Sequence, residues 1–230
     1  MDQPIHPDPA ATVIVLRPVE STFEVLMVHR HARGFFGSLV VFPGGGVDDV
    51  DQGELARSVV PGHGGDHDHR AAALRELAEE AGLVATPNGV IASPDLRGED
   101  LYRDLSSTGT ELDSESLVLV SRWVTPEGAP RRFDTRFYLL ATTGTPAVSL
   151  DTDELVGFSW TTPEHALSRY QSGDWPMVLP TLAHLRWLAL RSSIDEAIRS
   201  AQGADGRSVI EPIRADDGSL VPILVPSEDS

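Results

Sequence analysis

The chain contains no cysteine and no lysine. Without thiols there can be no disulfide staples, no thiolate nucleophile and no cysteine-held zinc or iron–sulfur centre. Without lysine, Schiff-base chemistry and the phosphate loop GxxxxGK[ST] are excluded, so an enzyme of phosphates would have to use arginine, backbone amides or a metal. No run of about 18 consecutive apolar residues occurs, and none of the chain reads as a membrane-spanning helix. Met1 to Pro9 lack a basic start and an apolar stretch, and Pro226 to Ser230 match no retention or peroxisomal address. A cytoplasmic protein is therefore expected. Bases are scarce too, 18 against 35 acids for a net charge of −17. That balance disfavours nucleic acid and anionic membrane as partners.

What is present fits one well-buried domain spanning the 230 residues. Thr12 to Arg17 and Phe23 to Arg30 are β-branched and aliphatic runs separated by a polar patch, which predicts a hairpin. Leu39 to Phe42 predicts a third short strand, stopped by Pro43 and a tight loop of Gly44, Gly45 and Gly46. Val47 to Asp66 turns to Asp, Gly, Pro and His, and reads as a surface insertion with a short helix near Glu54 to Val59. A helix is expected from an N-cap at Asp68 to a left-handed terminator at Gly82. Further strands are expected over Leu117 to Val124, Arg132 to Thr142 and Glu154 to Trp160. Helices are expected over Pro163 to Gln171 and Leu179 to Ala201. Val209 to Ile213 and Leu220 to Val225, around Asp216, Asp217 and Gly218, predict a final hairpin. This order implies an α/β fold, a mixed sheet sandwiched by helices, with a C-terminal helix and hairpin after a core of about 10–171.

The Asp68 to Gly82 helix carries the chemistry. Leu74, Leu77, Ala78 and Ala81 form one apolar stripe, and Glu76, Glu79 and Glu80 fall opposite. A solvated acidic face would give the same wheel. Against that, Glu76 repels Glu79 and Glu80, and the latter two crowd the negative end of the helix dipole, each effect costing about 0.3–1 kcal/mol. Arg75 reaches Glu79 at i+4, leaving carboxylates for a hard divalent ion such as Mg²⁺ or Mn²⁺.

Arg75, Glu76, Leu77, Ala78, Glu79, Glu80, Ala81, Gly82 and Leu83 resemble REUxEExGU, the second half of the Nudix box, where U is a bulky aliphatic. Phe42, Pro43, Gly44 and Gly45 resemble the approach to that box. The box is then interrupted by an insertion, which leaves Asp51 or His67 at the position of its first-half glutamate. Trp123 to Pro126 and Arg131 to Phe137 are similar to a pattern of long-insert Nudix proteins that include coenzyme A diphosphatases, although Phe35 and Leu39 depart from the coenzyme A signature. The resemblance implies a Nudix-type α/β/α sandwich that hydrolyses a nucleoside diphosphate linked to another moiety. It implies Glu76, Glu79, Glu80 and Arg75 as catalytic residues, and Glu76, Glu79, Glu80 and Gly45 around Mg²⁺ or Mn²⁺. Glu154, before the Phe158 to Trp160 strand end, is the candidate general base. Arg30, Arg132, Arg136 and Phe36 are expected substrate contacts, the two later arginines as readers of a 3′-phosphate or as rungs of an internal ion-pair ladder with Asp134. His63, Asp66, His67, Asp68 and His69 read as an exposed insertion and not as a zinc site. Substrates of the ADP-ribose, NADH or dinucleoside polyphosphate type are the alternatives within the enzyme class, and a non-catalytic nucleotide sensor is the alternative outside it.

Overall fold

The computed structural model describes residues 5–31, 39–62, 64–93, 95–144, 146–150, 154–203, 209–214 and 220–225. The chain runs through β1 (Asp8–Val19), β2 (Thr22–Arg30), β3 (Val40–Val41), β4 (Gly44–Gly46), α1 (Glu54–Val59) and α2 (His67–Ala81). It continues through β5 (Leu83–Thr86), β6 (Gly89–Ala92), α3 (Gly98–Thr108), β7 (Val118–Val124), β8 (Phe133–Ala141) and β9 (Leu155–Thr161). Last come α4 (Pro163–Gln171), α5 (Leu179–Leu188), α6 (Ile194–Gly203), β10 (Val209–Arg214) and β11 (Leu220–Val225).

Nine strands form one sheet in the order β11-β10-β7-β8-β1-β2-β3, with β4 paired to β1 and β9 to β2. The sheet is mixed: β1 pairs β8 in parallel and β2 antiparallel. Because side chains alternate along a strand, β1 feeds two cores. Ala11, Val13 and Val15 meet α1, α2 and α3 on one face, while Ile14 and Leu16 meet α4, α5 and α6 on the other. This is the expected α/β/α sandwich. The final hairpin joins the same sheet through parallel pairing of β10 with β7; its expected turn residues lie outside the described residues. Among the described residues, no helix is long and apolar enough to cross a membrane.

Several local expectations are corrected. Gly44 to Gly46 are not a free loop but a strand, paired antiparallel with Ala10, Ala11 and Thr12. Asp66, not Asp68, occupies the N-cap position of α2, and its side chain makes no capping hydrogen bond there. It is recruited by tertiary partners, accepting hydrogen bonds from Arg70 Nε at 2.7 Å, Tyr138 Oη at 2.8 Å and Arg136. The Leu179 to Ala201 helix is two helices. Ser192 and Ser193 break it by bonding locally, Ser192 to the Glu196 carboxylate and Ser193 Oγ to the Glu196 N–H. The insertion is more than surface, since Asp51, Ala56, Val59 and Val60 are all buried. The β5–β6 hairpin and α3 were not anticipated, because that stretch mixes short apolar runs with turn residues and has no clear period.

Candidate active site

The two faces of α2 have different neighbours. Leu74, Leu77, Ala78 and Ala81 pack into the core as the wheel requires, and Gly82 ends the helix with φ 66°, in the left-handed region. The acidic side is also covered. Glu80 is only 3% exposed, and the side chains of Glu79 and Glu76 only 10% and 15%. A solvated acidic face is thereby ruled out.

The cover on Glu76 and Glu80 is β4. A Cβ at Gly45 would sit 2.4 Å from Glu76 Oε1, so only glycine permits the approach. The Gly44 N–H donates to Glu80 Oε2 at 3.0 Å. From the end of β2, Arg30 donates to Glu80 Oε1 and to the Gly44 carbonyl at 2.6 Å, and stands 3.7 Å from Glu154. Glu79 turns the other way, accepting from the Gly98 N–H at the start of α3 at 2.8 Å.

Arg75 organises the cluster from beneath. Its guanidinium donates to both Asp51 oxygens, at 2.9 and 3.0 Å, to the Gly46 carbonyl at 3.0 Å, and to Glu76 at 2.9 Å and Glu79 at 3.3 Å. Tyr102 Oη, from α3, donates to Asp51 Oδ1 at 2.7 Å. Asp51 is wholly buried and Arg75 is 3% exposed. Of the two candidates for the first-half position, Asp51 is the one that meets Arg75. His67 instead sits in the first turn of α2, with Nδ1 3.2 Å from Asp68. It is buried, against the expectation of an exposed histidine cluster; His63 lies outside the described residues.

Electrostatics follow from burial. Desolvation pushes Glu80 up to about 8, against the pull of Arg30, and pushes Glu76 up against the pull of Arg75. Burial alone would lower Arg75, but the hydrogen bonds it donates to Asp51 and the negative charges around it hold its pKa above the ordinary value. The carboxylates therefore carry less positive charge nearby than burial demands, which suits a hard cation with oxygen ligands. Among the described residues, no three carboxylates or imidazoles converge on one point. Glu76 and Glu80 share the β4 side, and Glu79 faces α3.

A pH effect follows. Glu80 has its folded pKa above its unfolded one, so its contribution to stability is full below the ordinary carboxylate range and is lost as pH rises towards about 8. Metal-free protein is expected to melt roughly 5–9 °C lower at pH 8 than at pH 6 from this group, at about 2–4 °C per kcal/mol. Glu80→Gln should flatten that dependence. Melting curves in chelator across this range check it, and an unchanged slope in the variant would count against it.

The remaining expected contacts divide. A cavity of about 710 Å³ lies on the opposite face of the sheet and reaches the site at Arg30 and Gly44. Phe133, Thr135 and Phe137 of β8 line it, so the alternating face with Asp134 and Arg136 points elsewhere. Arg136 binds Asp66. Arg132 donates to the Thr125 and Ile5 carbonyls at 2.9 Å each. Asp134 is held by Arg122, at 2.8 and 2.6 Å, and not by either neighbour on its own strand. The structure thus brings Arg30, Arg75, Gly45, Glu76, Glu79, Glu80 and Glu154 together and leaves Arg132 and Arg136 outside; Phe36 lies outside the described residues. Tyr102 was missed altogether, since nothing in a lone tyrosine on a short amphipathic helix marks it as a partner of Asp51.

A Nudix domain model matches residues 6–179. The chain belongs to the Nudix family. The crystal structure of a Nudix hydrolase from Alicyclobacillus acidocaldarius matches with a TM-score of 0.72 and 33% identity, covering 84% of this chain and 96% of that one. Putative nudix hydrolase 7 of Caenorhabditis elegans is 33% identical over 190 residues, which are 78% of this chain and 60% of that protein. Human acyl-coenzyme A diphosphatase NUDT19 is 29% identical over 151 residues, 55% of this chain and 40% of that protein. The chain thus spans about half the length of these two curated relatives.

Proposed function

We propose that the protein hydrolyses the diphosphate of a nucleoside diphosphate linked to another moiety, with coenzyme A and its thioesters as the favoured class. The observation that carries this reading is the burial of Glu76 and Glu80 against the glycine strand, with Arg30 standing between them and a large open cavity. Likeness to the acyl-coenzyme A diphosphatase supports the substrate class.

Nudix hydrolases generally use divalent metals such as Mg²⁺ or Mn²⁺. Glu76 and Glu80, which share the β4 side with the Gly45 backbone close by, are the residues that would hold one here, and Glu79 would join them by turning from the Gly98 N–H. When bound, such an ion lowers the pKa of water and neutralises charge developing on phosphorus. The chain's own groups do the rest. Arg30 offers a cation at the cavity edge for a diphosphate oxygen. Glu154, with 44% of its side chain exposed beside Arg30, would take the proton of the attacking water. Arg75 and Asp51 fix the start of the acidic triplet so that the carboxylates need not reorganise during the reaction. Three repelling buried acids serve catalysis and give a passive nucleotide sensor nothing, which favours the enzyme.

The test is a comparison of coenzyme A, dephospho-coenzyme A, ADP-ribose, NADH and a dinucleoside polyphosphate with Mg²⁺ or Mn²⁺. Coenzyme A should yield 3′,5′-ADP and phosphopantetheine. Faster cleavage of ADP-ribose would reject the coenzyme A class and leave the diphosphatase standing. Because Arg136 is committed to Asp66, Arg136→Ala is expected to lower the melting temperature without changing the ratio of rates on coenzyme A and dephospho-coenzyme A. A collapse of that ratio with stability intact would return Arg136 to the substrate.

A further inference from the structure

The cavity on the far side of the sheet has a chemistry that the diphosphate does not explain. Among its described lining residues Arg30 alone is charged, and it stands at the end nearest the glutamates. Elsewhere the walls are apolar or aromatic, with Trp123 and Phe137 from the sheet and Met177 and Val178 from the segment leading into α5. Polar side chains are limited to a few threonines and Tyr170. A 3′,5′-ADP group carries several anionic oxygens and a base with many unsatisfied polar atoms, and such walls would leave them unpaired. An alkyl chain meets no such cost. The volume of about 710 Å³ is within the range of roughly 300–1,000 Å³ usual for small-molecule pockets. At the rim Val178 is 42% exposed and presents an apolar side chain, beside the partly exposed ring of Tyr170.

Arg30 touches Glu80 on the α2 side of the sheet and lines the cavity on the other side, so one side chain joins the two spaces. A substrate whose diphosphate lies at Arg30 must send one of its two arms into the cavity. We infer that this arm is the non-nucleotide one, and that the cavity is a binding site for a fatty-acyl chain carried on it as a thioester, with the nucleotide left on the α2 side. This rests on the diphosphatase reading for what happens at phosphorus, but not for what the cavity binds.

The experiment separates the two. Binding of coenzyme A and of its acetyl, hexanoyl, octanoyl and decanoyl thioesters is measured by calorimetry in chelator, where no turnover occurs. Affinity is expected to rise about two- to fourfold per added methylene, the scale of burying one such group, until the cavity is full. Val178→Trp, placed at the rim where the larger ring can be accommodated without disturbing the core, should shift the longest chain that still gains affinity to a shorter one. Equal affinity for coenzyme A and its decanoyl thioester would overturn the inference, as would a chain-length optimum that Val178→Trp does not move. Tighter binding of ADP-ribose than of any thioester, weakened by Val178→Trp, would assign the cavity to the nucleotide instead. If decanoyl-coenzyme A binds tightly and Mg²⁺ then produces no cleavage, the diphosphatase reading fails while the acyl site stands.

Discussion

Glu80→Gln and Glu79→Gln are each expected to lower turnover at least about 100-fold, the scale of losing one preorganised charge at a reacting phosphoryl group. The two should fail differently. Glu80 is held by Arg30 and the Gly44 N–H on the β4 side, so its loss removes an anion from beside the cavity mouth. Glu79 accepts from the Gly98 N–H, and in Glu79→Gln the amide oxygen keeps this bond at the start of α3 only as a weaker, uncharged acceptor. Metal titration followed by calorimetry should therefore show weaker binding in both variants, with altered protection of α3 amides only in Glu79→Gln. Near-normal turnover in both folded variants would remove the acidic face of α2 from the chemistry.

The second large effect concerns the ion pair beneath the site. Asp51→Ala leaves the Arg75 guanidinium buried with its main partner gone and Tyr102 Oη without an acceptor. Breaking a buried pair by removing one member costs about 3–5 kcal/mol. At about 2–4 °C per kcal/mol the melting temperature should fall by roughly 6–20 °C. His67→Ala should cost less, because the buried His67 ring, among the described residues, hydrogen-bonds only to the adjacent Asp68 and leaves Nε2 without a partner. Urea unfolding of both variants decides it: a larger loss for His67→Ala would mean that the acid of the box had been assigned to the wrong residue. Asp51→Glu, which restores the acid usual at that box position, should recover more activity than Asp51→Ala.

How far the sequence carried this reading differs from element to element. The hairpin of β1 and β2, α4 and the C-terminal strands were legible because their apolar period and turn residues agree with their tertiary roles. The second half of the box was legible because its letters lie on consecutive turns of one helix. Asp51 was not resolved, because an insertion of variable length separates it from Arg75 and only the fold brings the two to 2.9 Å. Gly44 to Gly46 looked like a loop because their strand character comes from pairing with β1, and glycine carries no propensity to announce it. Arg132, Asp134 and Arg136 share a face, as their spacing implies, but the partners of Asp134 and Arg136, Arg122 and Asp66, come from elsewhere in the chain. Strand alternation could have warned of this, since the face with Phe133 and Phe137 is the one that meets the cavity.

The central claim is that carboxylates of α2, with a divalent ion, cleave a nucleoside diphosphate linkage. It is tested most directly by incubating the protein with Mg²⁺ or Mn²⁺ and coenzyme A in ¹⁸O-labelled water and identifying the products by mass. The account predicts 3′,5′-ADP and phosphopantetheine with one label on one of the two new phosphate ends, no products in chelator, and at least about 100-fold less with Glu80→Gln. Intact coenzyme A, ADP-ribose and dinucleoside polyphosphate after prolonged incubation with either metal, or equal product from Glu80→Gln, would contradict it.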